Sequence, residues 1–306
     1  MNRQVIINAD DFGLSPGVNR GIIEAFKAGG ITSTSLIVNM PGFDDAVQLA
    51  RSYPDLSVGL HFNLTYGRPV SDPASVPSLV KEDGAFHSEA IERIWDSRDV
   101  SRELKAQWDR LVKTGLRPTH LDSHHLLHQH HPTIYKVMAQ KAYNEGISLR
   151  RLQISHSLSD APVPRMTDYI LLDSYAGDEG RKRLRQHLLS LQEGVTEIVC
   201  HPGYVDDVLL QYSRWLEIRE QELALFANQE VANTLAAIGV SPINYRALQR
   251  RKPSVRSRVH YRSRASRMRR SPSSPLHAVV QLRSRGKRKR ANNEKKVPLR
   301  YNKQGI

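Results

Sequence analysis

Cysteine is almost absent from this 306-residue chain: Cys200 stands alone, so no disulfide can form within it. That excludes the small disulfide-stapled scaffolds of secreted proteins and suits a reducing compartment. Long apolar runs are missing as well, and no stretch reaches the roughly 18 residues that a membrane-spanning helix needs. The start, MNRQVIINADDFG, passes from a short apolar run directly into two acids. It lacks the extended hydrophobic region and small-residue cleavage site of a signal peptide, so a cytoplasmic protein is expected. Acids, finally, are missing from the end of the chain. Residues 246–306 hold 21 Lys or Arg and one acid, Glu294, whereas the first 245 residues hold 24 basic and 30 acidic side chains. The formal net charge of +14 therefore belongs to the tail, and any inference from charge to a polyanionic partner applies to the tail alone.

What is present before the tail is alternation. Short β-branched runs at residues 5–8, 34–38, 57–64, 118–121, 149–154, 169–172 and 197–200 read as strands. Amphipathic stretches at 18–27, 43–51, 100–113, 132–145, 180–192 and 213–228 read as helices. Strand-then-helix order repeated this often predicts a parallel sheet, closed as a barrel or open and doubly wound. Polar clusters sit just after strands, at Asp10–Asp11, His61, His124–His125 and His201. This favours the barrel, in which strand C-termini share one rim. Residues 69–96, with Pro73, Pro77 and Gly84, form a longer irregular insertion of the kind that serves as a lid or binding loop. Past Tyr245 the periodicity collapses into basic, low-complexity sequence, which predicts a domain over residues 1–246 and a disordered tail over 247–306.

Four segments carry the chemistry. N-A-D-D-F-G puts two carboxylates at the mouth of the first strand. Neighbours on a strand face opposite ways, so both acids can serve one site only where the strand breaks, and Gly13 and Pro16 supply a break. An Asp pair that merely ties down loop amides is the competing reading. V-G-L-H-F-N-L-T sets His61 in an apolar strand, where a lone histidine is more often a packed core residue than a ligand. T-H-L-D-S-H-H-L-L-H-Q-H-H packs six of the chain's 13 histidines into residues 120–131, a density that a purely structural segment has little use for. A metal site needs two or three imidazoles and a carboxylate at about 2 Å from the ion, with a position left for water. I-V-C-H-P-G-Y places His201 directly after a strand; Cys200, its neighbour, should point into packing and is not read as a nucleophile.

Taken in this order, N-A-D-D-F-G-L-S, G-L-H-F-N-L-T, T-H-L-D-S-H-H and C-H-P-G-Y resemble the YdjC-like carbohydrate deacetylases, a family that includes chitooligosaccharide deacetylases and deacetylases associated with hopanoid glycolipid synthesis. The resemblance covers residues 3–246 and implies an irregular (β/α) barrel of the glycoside hydrolase/deacetylase type. It implies hydrolysis of the acetamide of an N-acetylated amino sugar, with one divalent metal ion held by Asp11, His61 and His124. Asp10 would then be the general base and His201, from the opposite side, the general acid. Asn63, His125, His128 and Arg150 are assigned to the substrate, though a surface ion pair is an equal reading of Arg150. Magnesium is the ion usually assigned in the family, whereas imidazole ligands suit zinc or another transition ion better. Many relatives carry a third consecutive histidine where this chain has Leu126. Two alternatives stay open. The barrel could house another metallohydrolase, a phosphoesterase or a deaminase. The basic tail could bind nucleic acid or an anionic surface, although with only Tyr261 and Tyr301 as aromatics it offers little for base stacking. An appended segment without a role in catalysis is the plainer reading of the tail, and an oligomer is not excluded.

Overall fold

The computed structural model describes residues 3–87, 94–153 and 161–250, the side chain of Arg250 excepted. Eight strands form one sheet: β1 (Arg3–Phe12), β2 (Ser33–Leu36), β3 (Ser57–Phe62), β4 (His120–Ser123), β5 (Ser148–Leu149), β6 (Tyr169–Leu171), β7 (Gly194–Cys200) and β8 (Ser241–Pro242). Their order is β5-β4-β3-β2-β1-β7-β6, with β8 also on β1, and every pairing is parallel. β1 is central and buried on both faces, which is why its sequence runs Val5–Ile6–Ile7 without polar alternation. The sheet curls towards a barrel. A single bridge, Ser148 to Arg165, joins the β5 edge to the segment leading into β6. The Arg150 side chain, just past β5, reaches carboxylates from β1, β4 and β7 across the interior. The expected irregular (β/α) barrel is thus the fold, as a curled parallel sheet with helices packed around it.

The helices are α1 (Pro16–Lys27), α2 (Phe43–Ser52), α3 (Ser97–Lys113), α4 (Leu127–His130), α5 (Pro132–Glu145), α6 (Gly177–Leu189), α7 (Leu209–Tyr212), α8 (Leu216–Phe226), α9 (Glu230–Ala237) and α10 (Tyr245–Arg250). Their ends follow local chemistry. Ser15 caps α1 by accepting the Val18 amide, with Pro16 in the first turn. Asp96 caps α3 through the Arg98 and Asp99 amides. Gly146, left-handed at φ 66°, ends α5. The apolar faces, among them Val18, Ile22, Leu104, Leu111, Ile134 and Met138, bury against the sheet, each contributing about 1.5–3 kcal/mol.

Most expected elements are present with bounds moved by a few residues. The fifth strand shrinks to Ser148–Leu149, and the last expected residue of that strand, 154, lies outside the described residues. The insertion is pinned rather than loose over its described part. Glu103 of α3 accepts the amides of Val70 and Ser71, and Asp99 accepts that of Ser78. Packed structure continues past the expected boundary at residue 246, through α10. Tyr245 and Leu248 are buried with Ile6 and Val195 at the foot of the sheet, Gln249 donates to the Thr119 carbonyl, and the compact unit runs to Pro253. The periodicity argument missed α10 because six residues are too few to display a period. The tail beyond, and its expected disorder, lie outside the described residues. Among those that are described, no helix is long and apolar enough to cross a membrane.

Candidate active site

The site opens where β1 breaks. Register between β1 and β2 shifts between Ala9 and Phe12, and Asp11 sits in the left-handed region at φ 71°. This bulge removes the alternation of an ordinary strand, so Asp10 and Asp11 both serve one cavity. A non-glycine residue held this way costs about 1–3 kcal/mol, strain of the kind that collects at functional sites. The turn is closed by the Leu14 amide on the Asp11 carbonyl at 3.0 Å. Only glycine fits at position 13, where φ is 88° and a Cβ would stand 2.5 Å from the Ile37 carbonyl.

Two imidazoles converge on Asp11. His61, on β3, has Nδ1 2.7 Å from Asp122 Oδ1, which leaves Nε2 facing Asp11 Oδ1 at 3.3 Å. His124, just past β4, has Nδ1 2.6 Å from Thr65 Oγ1, which turns its Nε2 to the same oxygen at 3.7 Å. Asp11 Oδ1 is buried and accepts no hydrogen bond. A buried carboxylate oxygen faced by two ring nitrogens whose partners fix them edge-on is a donor set that could hold a cation. Electrostatics agree. Burial alone would raise the Asp11 carboxyl, but Arg219 and the two imidazoles hold it well below the usual carboxylate range. Burial and the neighbouring His125 push His124 well below its ordinary value, so it is neutral. Burial also disfavours a charged His61, yet Asp122 and Asp10 outweigh it and push it up to about 10.

Among the described residues, the group that brings one donor atom each within 4.8 Å of one another is Asp10, His61 and Asp122, a closeness that Asp11, His61 and His124 do not reach. Its carboxylates are already satisfied. Asp10 takes both ends of the Arg150 guanidinium, at 2.7 Å each, and the Asn8 amide at 2.8 Å. Asp122 accepts from Ser35 at 2.5 Å and pairs with Arg150 at 2.8 Å, in addition to His61. The grouping around Asp11 is the one that still lacks a partner.

Asp10 and His201 face each other across the mouth, with Asp10 Oδ2 4.0 Å from His201 Nε2. The acid is expected on the side opposite the base; β1 and β7 pair directly, with Ala9 beside Cys200, so Asp10 and His201 leave the two strands as neighbours. Glu222 of α8 accepts the His201 amide at 2.6 Å, and Trp215 meets the ring edge-on at 5.4 Å, while a quarter of the side chain stays exposed. Cys200 points the other way, fully buried, towards the Asn8 carbonyl.

Three assignments to the substrate change. Arg150 is wholly buried, clamped on Asp10, Asp122 and Glu197, and has no face left for a sugar or for a surface ion pair. Asn63 is wholly buried and spends its amide on Asn39, Thr65 and Tyr66, shaping the turn after β3. His128 is buried behind the site with Nδ1 2.6 Å from Ser123 Oγ, and burial and Arg150 lower it to about 3. His125 alone of the four lies at the mouth, stacked on His124 at 3.9 Å. His125 and Leu126 are both left-handed, at φ 53° and 52°, so the position of the missing third histidine lies in a strained turn. Beside it, Tyr66 packs 4.5 Å from the His124 ring and leads into a cleft of about 700 Å³. Tyr66, Arg68, Lys81, Phe86, Arg110 and Tyr212 line that cleft.

Arg219 was not singled out from the sequence as part of the site, and Asp122 only beside His120 and His128 as a group that could serve the second metal of a phosphoesterase. For Asp122 a signal existed, because His120, Asp122 and His124 alternate and share a side of β4. For Arg219, one of several charged residues on α8, there was none.

A sequence profile of YdjC-like proteins matches residues 4–237. The chain is 39% identical over 248 residues to a carbohydrate deacetylase of Geobacillus stearothermophilus, an alignment covering 80% of this chain and 98% of that one. It is 36% identical over 253 residues to a carbohydrate deacetylase of Vibrio parahaemolyticus, covering 80% and 96%. A crystal structure from Enterococcus faecalis, of a protein proposed to cleave cellobiose-phosphate, superposes with a TM-score of 0.73 at 34% identity, covering 81% of this chain and 99% of that one. With these matches spanning the strands, the bulge and every residue just described, the chain belongs to the YdjC-like family, as a hydrolase of the carbohydrate deacetylase kind.

Proposed function

We propose that the chain removes acetyl groups from N-acetylated amino sugars by metal-dependent amide hydrolysis, with Asp11, His61 and His124 as ligands. The observation that carries this is the orphaned Asp11 Oδ1, buried and faced by two Nε2 atoms whose rings are fixed from behind. Two imidazoles and one carboxylate suit zinc or another transition ion, and magnesium is admissible with more water in its shell. Such an ion supplies a Lewis acid for the acetyl carbonyl and lowers the pKa of a bound water.

The protein's own groups do the rest. Asp10 takes the proton of the attacking water, and the Arg150 fork fixes the plane of its carboxylate for that transfer. Arg150 is itself held by Asp122 and Glu197, so base and support form one buried network; removing a single partner would leave an uncompensated charge, typically costing about 3–5 kcal/mol. His201, partly exposed beside Asp10, gives a proton to the departing amine. Its seat against Trp215 and Glu222 holds the imidazole at the mouth. The cleft beyond Tyr66 accommodates further sugar units, with Tyr66 and Tyr212 offering ring faces. A di- or oligosaccharide bearing an acetamide is therefore the favoured substrate.

The test is product release after chelation and reloading with zinc, cobalt, manganese or magnesium, on N-acetylglucosamine, chitooligosaccharides and an N-acetylglucosaminyl lipid. Metal-dependent acetate is expected. A phosphomonoester and an amino-bearing nucleobase are included as controls, and phosphate or ammonia released from these, with no acetate from the N-acetylated sugars, would point to a phosphoesterase or a deaminase on the same barrel.

A further inference from the structure

Arg219 reaches the site from α8 and bonds a proposed ligand from behind. Its Nη2 donates to Asp11 Oδ2 at 2.5 Å, the guanidinium is 3% exposed, and Nε and Nη1 are buried without hydrogen-bond partners. Arg150 differs in kind. Its charge is shared among Asp10, Asp122 and Glu197, so it balances a network. Arg219 pairs with one carboxylate among the described residues, and that carboxylate's other oxygen is the orphan facing His61 and His124. Its full charge thus bears on a single proposed ligand.

The two supports behind the site have opposite signs. Asp122 accepts from His61 Nδ1, and an anion in that place pushes electron density towards Nε2 and strengthens the imidazole as a donor. Arg219 draws density away from Asp11, weakens it as a donor and occupies the oxygen that a bidentate grip would use. Resting on the ligand reading above, we infer that Arg219 is a positioning residue that keeps Asp11 a one-oxygen, weakened ligand, so that the site holds its ion less tightly than its donors allow while leaving the ion more strongly electron-withdrawing.

The sign of the effect on affinity separates this from a scaffold role. Loss of an ordinary support costs about 10–100-fold in metal affinity or activity. Here Arg219→Gln, which can still donate a hydrogen bond but carries no charge, is expected to bind zinc more tightly than the parent, by up to about tenfold, with kcat lowered by about 10–100-fold and KM nearly constant. Arg219→Lys, which keeps the charge, should return zinc affinity to the parent value and recover part of kcat. Affinity is read by titrating the chelated full chain with zinc alone in the calorimeter, and kcat by acetate release. Zinc binding in Arg219→Gln no tighter than in the parent, at an unchanged melting temperature, would overturn the inference, as would a parent-like kcat. If Arg219→Gln does not fold, the lysine variant decides: its zinc affinity must match the parent's. Failure of the ligand reading looks different, because the parent and His124→Ala would then bind zinc equally.

Discussion

At the scale of single residues, the adjacent acids divide the work through what already occupies them. Asp10 has both oxygens in the Arg150 fork, whereas Asp11 gives one oxygen to Arg219 and turns the other to the Nε2 atoms of His61 and His124. Asp10→Asn is therefore expected to keep its metal and lose about 10²–10⁴-fold in kcat, the usual worth of a general base. Asp11→Asn should instead weaken metal binding, with activity returning as metal is added. Metal content, melting temperature and acetate release on the same two proteins check this; the reverse pattern would exchange the roles. His61 adds a pH dependence. With its pKa raised to about 10 in the metal-free protein, it is an imidazolium at neutral pH and must lose a proton to act as a ligand. Zinc affinity should rise about tenfold per pH unit between pH 6 and 9, and binding should release close to one proton, as calorimetry in buffers of different ionisation heat would show. Stability of the metal-free protein moves the other way. The contribution of a raised imidazole is complete below its unfolded value near 6.5 and fades as pH climbs through about 10. Asp10, Asp11, His61, His124 and His201 were all legible in the sequence because each lies at or just past the C-terminal end of a strand within a motif. Arg150 was legible as a residue but not in its role, since its burial depends on three strands that are remote in sequence.

At the scale of elements, the break in β1 does what Gly13 and Pro16 suggested, but through a left-handed Asp11 that no propensity would assign to an aspartate inside a strand. Strands and helices with several turns of periodicity could be read; short pieces could not. α10 is the case with consequences. Tyr245 stacks on His120 at 3.8 Å, Leu248 closes the foot of the sheet, and Arg246 donates to the carbonyls of Pro54 and Leu56. Ending the chain after Arg246 removes Leu248 and Gln249 and opens that foot. The loss of a buried leucine alone costs about 2–5 kcal/mol, which lowers the melting temperature by roughly 5–15 °C in a domain of this size. Ending it after Pro253 keeps every one of these contacts. Differential scanning calorimetry of the two truncations should separate them, and equal melting temperatures would mean that α10 is dispensable.

At the scale of the whole molecule, charge and catalysis are segregated along the chain. The catalytic unit is mildly acidic and holds every residue assigned a chemical role, while the basic excess lies almost entirely past residue 245. The overall charge of +14 consequently carries no information about the sugar site, and it would mislead if taken as the mark of a nucleic-acid enzyme. Removing residues 254–306 is expected to leave kcat/KM for acetate release within about twofold, because no motif of the site lies there. The same truncation addresses polyanion binding. A segment that neutralises Z phosphates of a single strand gives a salt slope near −0.7Z, so a working tail would show affinity for oligo-RNA that falls steeply with salt and vanishes on truncation. A tail without that role would leave the full and truncated proteins equal at physiological ionic strength, apart from weak, rapidly screened attraction at low salt. Measured together, the two readouts assign the tail. Unchanged turnover with lost RNA affinity makes it a tether, and unchanged turnover with unchanged affinity makes it passive. A large fall in kcat in a folded truncation would mean that part of the catalytic unit lies beyond Pro253.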